Sequence, residues 1–229
     1  MSQEHLQYHI ERLNLGLIDQ SLKSVEAHWK KIDDELDKRK IGRKDAFTPV
    51  IRDRLLVAYG YLDKLLEQRA EPFSKDSIIE MLVLNDKVHY GNDSRLQREY
   101  SSAAKTSSEQ FFQRVDSISH WYKKHKKRGD HPQKLASEVY VSILARPQLF
   151  IEGNHRTGNL IANWISVFYG YAPFVLSADN AIAYFDPSAK IKHFANKISM
   201  VGKLQLPKYN ESFRKFWEKY SDKKYLTRL

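Results

Sequence analysis

One short segment of the sequence concentrates residues that could do chemistry, namely residues 149–159, which read LFIEGNHRTGN. It holds two glycines, a carboxylate, an imidazole and a guanidinium between two apolar stretches with helical spacing. Connections between helices seldom need this composition, because glycine costs backbone entropy and buried charge must be paired. We therefore interpret the segment as a candidate functional site.

The chemistry that suits this segment is the binding of a phosphate. The segment lies where one helix ends and the next begins, so successive backbone N–H groups can converge on one ligand. The positive end of the helix dipole favours an anion there, and Arg156 can add a forked pair of charged donors. Glu152 would repel phosphate unless a cation lay between them, and its oxygens suit Mg²⁺. The segment predicts a site for a nucleotide with bound Mg²⁺.

The local chemistry leaves a structural alternative open. No Gly-Lys-Ser or Gly-Lys-Thr follows the glycines, so the segment is not a Walker loop. Gly153 could simply supply a positive φ angle to a connecting loop, with Glu152 paired locally to Arg156. The residues of the segment by themselves favour phosphate binding and this structural interpretation about equally.

Composition limits the class of protein. A chain of 229 residues can bury a real core without metal or disulfide support, and we expect one compact unit. The absence of Cys excludes disulfides, thiolate nucleophiles and cysteine-bound zinc, and it agrees with a reducing, cytoplasmic compartment. The polar start of the chain does not resemble a cleaved signal, and no stretch approaches the roughly 18 apolar residues of a transmembrane helix.

The chain is basic, with 38 Lys and Arg against 28 Asp and Glu and a net charge of +10, which favours polyanionic partners. Part of this charge is clustered in residues 38–44 and 123–128, although such runs also occur at solvated helix ends. A nucleic-acid-binding protein is therefore an alternative. Because no helix-turn-helix, zinc finger or interleaved basic and aromatic surface is evident, nucleic acid is not the expected partner.

Apolar residues recur at helical spacing along most of the chain and predict a mostly α fold. The helix after the candidate segment has a wide apolar face and is expected to be central. Between residues 88 and 106 the periodicity fails, which indicates a hairpin or a loop. Helices are predicted to begin near Ser21, at Pro49 behind an N-cap at Thr48, after Ser77, and near Asp130 and Pro132. Near the C-terminus, Asp186 and Pro187 are predicted to end a short helix, and Asn210 to cap the last one.

The candidate segment resembles the centre of the Fic (Fido) motif, His-x-Phe-x-(Asp or Glu)-Gly-Asn-(Gly or Lys)-Arg-x-x-Arg. The matching residues are Phe150, Ile151, Glu152, Gly153, Asn154 and Arg156. The context also matches, since a helix leads into the segment and an apolar helix follows it, and the resemblance covers about residues 135–185. It implies a Fic-like helical bundle with a small β-hairpin flap, for which residues 88–106 are the candidate. Residues 1–70 would form a helical region packed on a core of residues 71–229.

Fic proteins typically transfer AMP from ATP to a hydroxyl side chain of a target protein, and some members transfer other phosphate-containing groups. The resemblance therefore implies ATP or another nucleotide as ligand, Mg²⁺ bound with the nucleotide, and a target or partner protein that the sequence does not name. Residue by residue, it implies that Glu152 binds the metal, that Gly153 and Asn154 cradle the anion, and that Arg156 contacts phosphate.

Three positions depart from the motif: Gln148 replaces the catalytic histidine, His155 a small or basic residue of the cradle, and Asn159 the second arginine. Gln148 cannot accept a proton at neutral pH and could only orient a hydroxyl or a phosphate oxygen. His155 is the other candidate for the base, or else a phosphate contact. Asn159 removes a fixed positive charge and so weakens triphosphate binding. Two hypotheses remain: a nucleotidyltransferase with altered acid–base chemistry, and a non-catalytic Fic-fold module that binds nucleotide or a phosphorylated ligand.

Overall fold

A computed structural model describes residues 11–41, 46–195 and 198–227, apart from the side chains of Ala103 and Lys203. The described residues form ten α-helices, one short 3-10 helix and a two-stranded sheet, which confirms the predicted mostly α class. In chain order the elements are β1 (Arg12–Leu13), α1 (Leu15–Ala27), α2 (Trp29–Lys38), α3 (Pro49–Glu67), α4 (Ile78–Tyr90), α5 (Ser94–Glu99), α6 (Ser101–Lys127), α7 (Pro132–Leu144), α8 (Asn154–Phe168), α9 (Ala181–Phe194), α10 (Met200–Tyr220), the 3-10 helix (Lys223–Tyr225) and β2 (Leu226–Thr227).

The small antiparallel sheet joins distant parts of the chain. Arg12 lies opposite Thr227, so the sheet ties the described start of the chain to its described end. The expectation that residues 88–106 form the hairpin flap is wrong, because this stretch comprises the end of α4, all of α5 and the start of α6. Its turn residues are helix caps. Gly91 ends α4 with a φ of 60°, and the Asp93 carboxylate accepts the N–H groups of Arg95 and Leu96 in the first turn of α5.

Local signals located some helix starts correctly. The Thr48 hydroxyl accepts the Ile51 N–H at 3.3 Å, so Pro49 begins α3 as predicted, and Pro132 begins α7. The first predicted helix, however, begins before Ser21, because the Asn14 side chain caps α1 by accepting the Leu17 N–H at 3.1 Å. The apolar residues that predicted this one helix belong to two helices, α1 and α2.

Near the C-terminus, the predicted helix end at Asp186 and Pro187 and the predicted helix start at Asn210 are both wrong. Helix α9 continues through Pro187, and α10 contains Pro207 and begins behind Ser199 rather than Asn210. A proline removes one hydrogen bond from a helix interior. In α9, side chains on both sides of the proline are buried, namely Tyr184 and Ile191, so tertiary packing overrides the local penalty.

Helix α8 is central, as its wide apolar face predicts. Every residue from 157 to 167 is buried, and Trp164 is fully enclosed. Gly158 lets α7 approach closely, because a Cβ atom there would lie 3.3 Å from side-chain carbons of Tyr140 and Ile143. One hydrophobic cluster includes residues from both sides of residue 70. None of the described helices combines the length and apolarity that a bilayer crossing requires.

The two basic runs lie at helix ends. Residues 123–128 form the last turn and C-cap of α6, where positive side chains complement the helix dipole, and Lys126 pairs with Glu71. The other run begins in the last turn of α2, and its members Arg43 and Lys44 lie outside the described residues.

Candidate functional site

Residues 145–153 connect α7 to α8 and are held at several points. The buried Asn154 side chain accepts the Phe150 N–H at 2.9 Å and donates to the Phe150 carbonyl at 2.7 Å, which fixes the loop against the first turn of α8. Helix α6 holds the other part of the loop, since Gln110 donates to the Gln148 carbonyl at 3.2 Å and Arg114 donates to the same oxygen. The Asn154 side chain thus organises the loop that presents the site.

Gly153 is the residue that lets the chain enter α8. It adopts a φ of 73°, and a Cβ atom at this position would lie 2.6 Å from His89 Nε2 and 2.9 Å from Asn85 Nδ2. Asn85 donates to the Glu152 carbonyl at 3.2 Å and to the Thr157 hydroxyl at 2.9 Å. Both α4 side chains therefore pack on the turn, and glycine meets the steric and the conformational requirement together.

The start of α8 exposes backbone donors, as the sequence predicts. The first helical hydrogen bond runs from the Thr157 N–H to the Gly153 carbonyl at 2.9 Å. The N–H groups of Asn154 and His155 precede this bond, and among the described residues no protein acceptor lies within hydrogen-bonding distance of them. Helix starts of this kind bind anions.

A cavity of about 340 Å³ opens at this helix start. Its lining includes the exposed Ile151 and Glu152 and the partly buried cations Arg156 and Lys192. Glu152 is the one carboxylate among the described residues that line it. Aromatic and aliphatic side chains make up much of the wall, namely Trp29, Phe47, Ile51 and Phe185. The buried floor is formed by Leu22, Leu55, Tyr59, Asn159, Leu176 and Tyr184.

His155 lines this cavity but is engaged with neighbouring tyrosines. Its Nδ1 lies 3.3 Å from the Tyr140 hydroxyl, and its carbonyl accepts the Tyr184 hydroxyl at 3.1 Å. Burial lowers the pKa of His155 to about 3, and the positive charges of Lys192 and Arg156 add to this effect. The imidazole is therefore uncharged at neutral pH and is a weak base.

The stability of the protein should fall in mild acid because of His155. The unfolded chain takes up the proton near the usual pKa of about 6.5, whereas the folded protein does so only near a pKa of about 3. The contribution of this group is therefore complete above pH 6.5 and is lost as the pH falls toward 3. In urea unfolding at pH 7.5 and pH 5, His155→Gln should lose less stability than the wild type; equal losses would contradict this prediction.

Gln148, directly before the candidate segment, and Asn159, its last residue, are both neutral amides. Gln148 is among the residues that line the cavity, and its side-chain Nε2 donates to the Leu144 carbonyl at 3.2 Å, at the end of α7. Asn159 is 8% exposed, and its Nδ2 donates to the Tyr59 hydroxyl at 3.2 Å. The Asn159 Oδ1 atom has no hydrogen-bond partner among the described residues.

The residues of the site could hold a metal ion only if a bound ligand supplied further oxygen atoms to it. Within the part of the chain that the structure describes, no group of three or more His, Asp or Glu could hold a metal ion. Glu152 alone borders the cavity as a carboxylate. Mg²⁺ commonly binds through one or two carboxylates completed by substrate phosphates and waters, so this donor set suits Mg²⁺ that arrives with a phosphate.

The structure brings all the predicted site residues to one cavity. These residues are Gln148, Glu152, Gly153, Asn154, His155, Arg156 and Asn159. Four further residues carry no signal in the sequence, because they lie far from residues 149–159 in the chain. They are Lys192 and Tyr59 in the lining, and His89 and Asn85 behind Gly153.

Comparisons of the chain with protein-family models, with curated proteins and with solved structures found no match.

Proposed function

We propose that the protein binds a nucleoside phosphate together with Mg²⁺ in this cavity and acts through binding rather than through catalysis. The observation that carries the proposal is the shared cavity, where the unfilled donors at the start of α8, two cations and one carboxylate meet an apolar wall. Ligand pockets commonly combine such a wall with a few convergent polar groups. The volume of about 340 Å³ is within the range of small-molecule sites.

The charges support a phosphate near the start of α8. Arg156 and Lys192 both act on His155 and lower its pKa, so the two positive groups lie around the same part of the cavity. A phosphate there would be stabilised by these cations and by the backbone donors of α8. Mg²⁺ between the phosphate and Glu152 would offset the repulsion between the two anions.

The aromatic wall supports a flat organic group on the same ligand. The Trp29 ring packs near Phe47 and Phe185, with centroids 5.8 Å and 6.0 Å apart, and all three rings border the cavity. Aromatic side chains bind nucleobases through their faces with little dependence on base identity. A nucleotide combines such a base with the phosphate that the helix start favours.

Binding without transfer follows from the acid–base groups of the site. An amide at Gln148 cannot remove a proton from a hydroxyl at neutral pH. His155 is a weak base, and its Nδ1 lies near the Tyr140 hydroxyl. We therefore propose that the nucleotide acts as a signal for a protein partner, and we include a cytoplasmic location because the lack of Cys agrees with a reducing compartment.

Replacing Arg156 with Ala tests this proposal. Loss of a charge-assisted contact should weaken nucleotide binding by about 10- to 100-fold. Isothermal titration calorimetry with AMP, ADP and ATP, with and without Mg²⁺, measures this effect. Lys123→Ala is the control, because it removes a positive charge from the exposed end of α6 that does not line the cavity.

Two results would contradict the proposal. One is that the wild-type protein binds none of AMP, ADP and ATP in the presence of Mg²⁺. The other is equal binding by wild type and Arg156→Ala. Strong, salt-sensitive binding of nucleic acid that Arg156→Ala leaves unchanged would instead favour a nucleic-acid-binding protein.

A further inference from the structure

The start of α10 and the chain just before it carry a concentration of exposed apolar side chains. Ten large hydrophobic side chains are exposed among the described residues, and half of them lie within residues 194–204. We call these five side chains the apolar patch: Phe194 (65% exposed), Ile198 (72%), Met200 (82%), Val201 (64%) and Leu204 (75%). Single exposed apolar residues are normal in proteins, but a cluster of them marks an interaction site.

The position of the patch on α10 indicates that something other than water covers it. The opposite face of the helix already packs on the protein, since Gly202 is buried and Leu206 lies against the hydrophobic core. Met200, Val201 and Leu204 share the outer face, because residues three and four apart are neighbours on a helix. The first two turns of α10 are therefore apolar on both faces, which is typical of helices that are buried on both sides.

The charge around the patch indicates the kind of partner. Residues 187–210 contain five Lys and one His but no Asp or Glu. Lys208 is exposed and follows Leu204 by four residues, so it lies on the same face of α10 as the patch. Arg146 is exposed as well, and its N–H donates to the Ala195 carbonyl at 2.9 Å, at the end of α9. The patch therefore has positive charge around it, which favours an anionic surface.

Exposed apolar side chains beside lysines are typical of segments that lie on anionic membranes. The apolar side chains enter the boundary between head groups and acyl chains, and the lysines attract the anionic head groups. Every member of the patch is at least 64% exposed, so these side chains project from the protein and can enter a lipid layer without a matching pocket. We infer that the apolar patch and Lys208 bind the surface of a membrane that contains anionic lipids.

A second copy of this chain suits the patch less well. A two-fold interface uses the same surface on both subunits, so it would bring two lysine-rich surfaces together. Only one of these lysines, Lys190, is seen in an ion pair among the described residues, with Asp186 at 2.8 Å. The positive charge that attracts a membrane therefore opposes self-association.

This inference goes beyond nucleotide binding and does not depend on it. A protein that lies on a membrane in this way needs no spanning helix. Lys192, which lines the cavity, precedes Phe194 by two residues, so the membrane surface would lie near the α9 side of the cavity.

Co-sedimentation with lipid vesicles tests the inference. The wild-type protein should bind vesicles of phosphatidylcholine and phosphatidylserine, mixed about three to one, at least about 10-fold more tightly than vesicles of phosphatidylcholine alone. Added salt should weaken this binding. The double variant Met200→Ser and Leu204→Ser should bind about 10-fold more weakly or worse, because it loses apolar burial in the lipid. Lys208→Glu should lose a similar factor through repulsion by the anionic head groups.

Matched variants control for effects that do not involve the patch. Val50→Ser combined with Ile79→Ser removes two exposed apolar side chains from the first turns of α3 and α4. Lys123→Glu reverses an exposed charge near the end of α6. Both control proteins should bind the vesicles as the wild type does.

Three results would overturn the inference. The first is that the wild-type protein does not bind the phosphatidylserine vesicles, or binds both kinds of vesicle equally; this comparison needs no variant, so it stands even if a variant fails to fold. The second is an equal loss of binding in the patch variants and in their controls. The third is a dimer, measured by light scattering, that Met200→Ser with Leu204→Ser dissociates, because the patch would then be an interface between two copies of the chain.

Discussion

Replacing Gln148 with His is expected to raise AMP transfer from ATP to a protein hydroxyl by about 10²- to 10⁴-fold, the usual contribution of a general base. Gln148 is among the residues that line the cavity, and Gln110 and Arg114 hold its loop through the Gln148 main-chain carbonyl. The substitution therefore changes the side chain and leaves these backbone contacts in place. This is the position where the Fic motif, which the segment resembles, has its catalytic histidine.

The expected reaction is the transfer of AMP from ATP to a protein hydroxyl, with the new imidazole as the general base. The hydroxyl oxygen of the acceptor protein forms a bond to the α-phosphorus of ATP, the bond to pyrophosphate breaks, and the imidazole takes the hydroxyl proton. Arg156 and the start of α8 would stabilise the charge on the phosphates during this step. Release of pyrophosphate and label from α-labelled ATP on protein are the measurements.

Two further variants control this experiment. Gln148→Asn changes the side chain without adding a base and should stay at the wild-type level. Glu152→Ala in the Gln148→His background should remove the gain, because the carboxylate that would share Mg²⁺ with the phosphates is gone. No gain in Gln148→His, measured with unchanged nucleotide affinity, would contradict the idea that the base is the missing element of transfer.

Gly153→Ala should both destabilise the protein and impair nucleotide binding. The backbone at this position has a φ of 73°, and the added Cβ atom would lie 2.6 Å from His89 Nε2 and 2.9 Å from Asn85 Nδ2. Left-handed backbone costs a residue with a side chain about 1–2 kcal/mol. Displacement of Asn85 would also break its bonds to the Glu152 carbonyl and Thr157, so we expect a total loss of about 2–4 kcal/mol.

A matched glycine separates the two causes of this loss. Gly170 has a φ of 78° after the end of α8, and a Cβ atom there would meet nothing within 4 Å. Gly170→Ala should therefore cost only the backbone strain, about 1–2 kcal/mol, and should leave nucleotide affinity unchanged. Urea unfolding and calorimetry measure both quantities. Equal losses of stability in the two variants, with binding intact in Gly153→Ala, would mean that His89 and Asn85 do not hold the turn.

The sequence by itself determined the local features of the site. Helix starts, the glycine turn and the donors before Arg156 depend on residues close together in the chain, so their spacing could be interpreted directly. The wide apolar face of α8 likewise indicated a central helix, and its burial confirms this. The cap at Thr48 was correct for the same reason, because a cap and its helix are local.

Local reasoning failed where packing outweighs propensity. Turn residues between α4 and α5 indicated a hairpin or a loop, but Asp93 instead caps a short helix. Pro187 was expected to end a helix, but α9 continues because Tyr184 and Ile191, on either side of it, are buried in the core. In both places the local sequence permits more than one conformation, and contacts from distant parts of the chain select one.

Only the tertiary structure decided what surrounds the motif. Tyr59 lies 100 residues before Asn159, and Asn85 lies 72 residues before Thr157, yet each pair is hydrogen-bonded. Lys192 lies on α9, which is tied to the start of α8 by the bond from the Tyr184 hydroxyl to the His155 carbonyl. Burial of His155 and the nearby charge of Lys192 lower the pKa of this histidine. No short-range pattern encodes such contacts, since they arise when separate helices bury their apolar faces in one core. Local sequence therefore specified a helix start with free backbone donors, and helix packing supplied the cavity walls and the second cation.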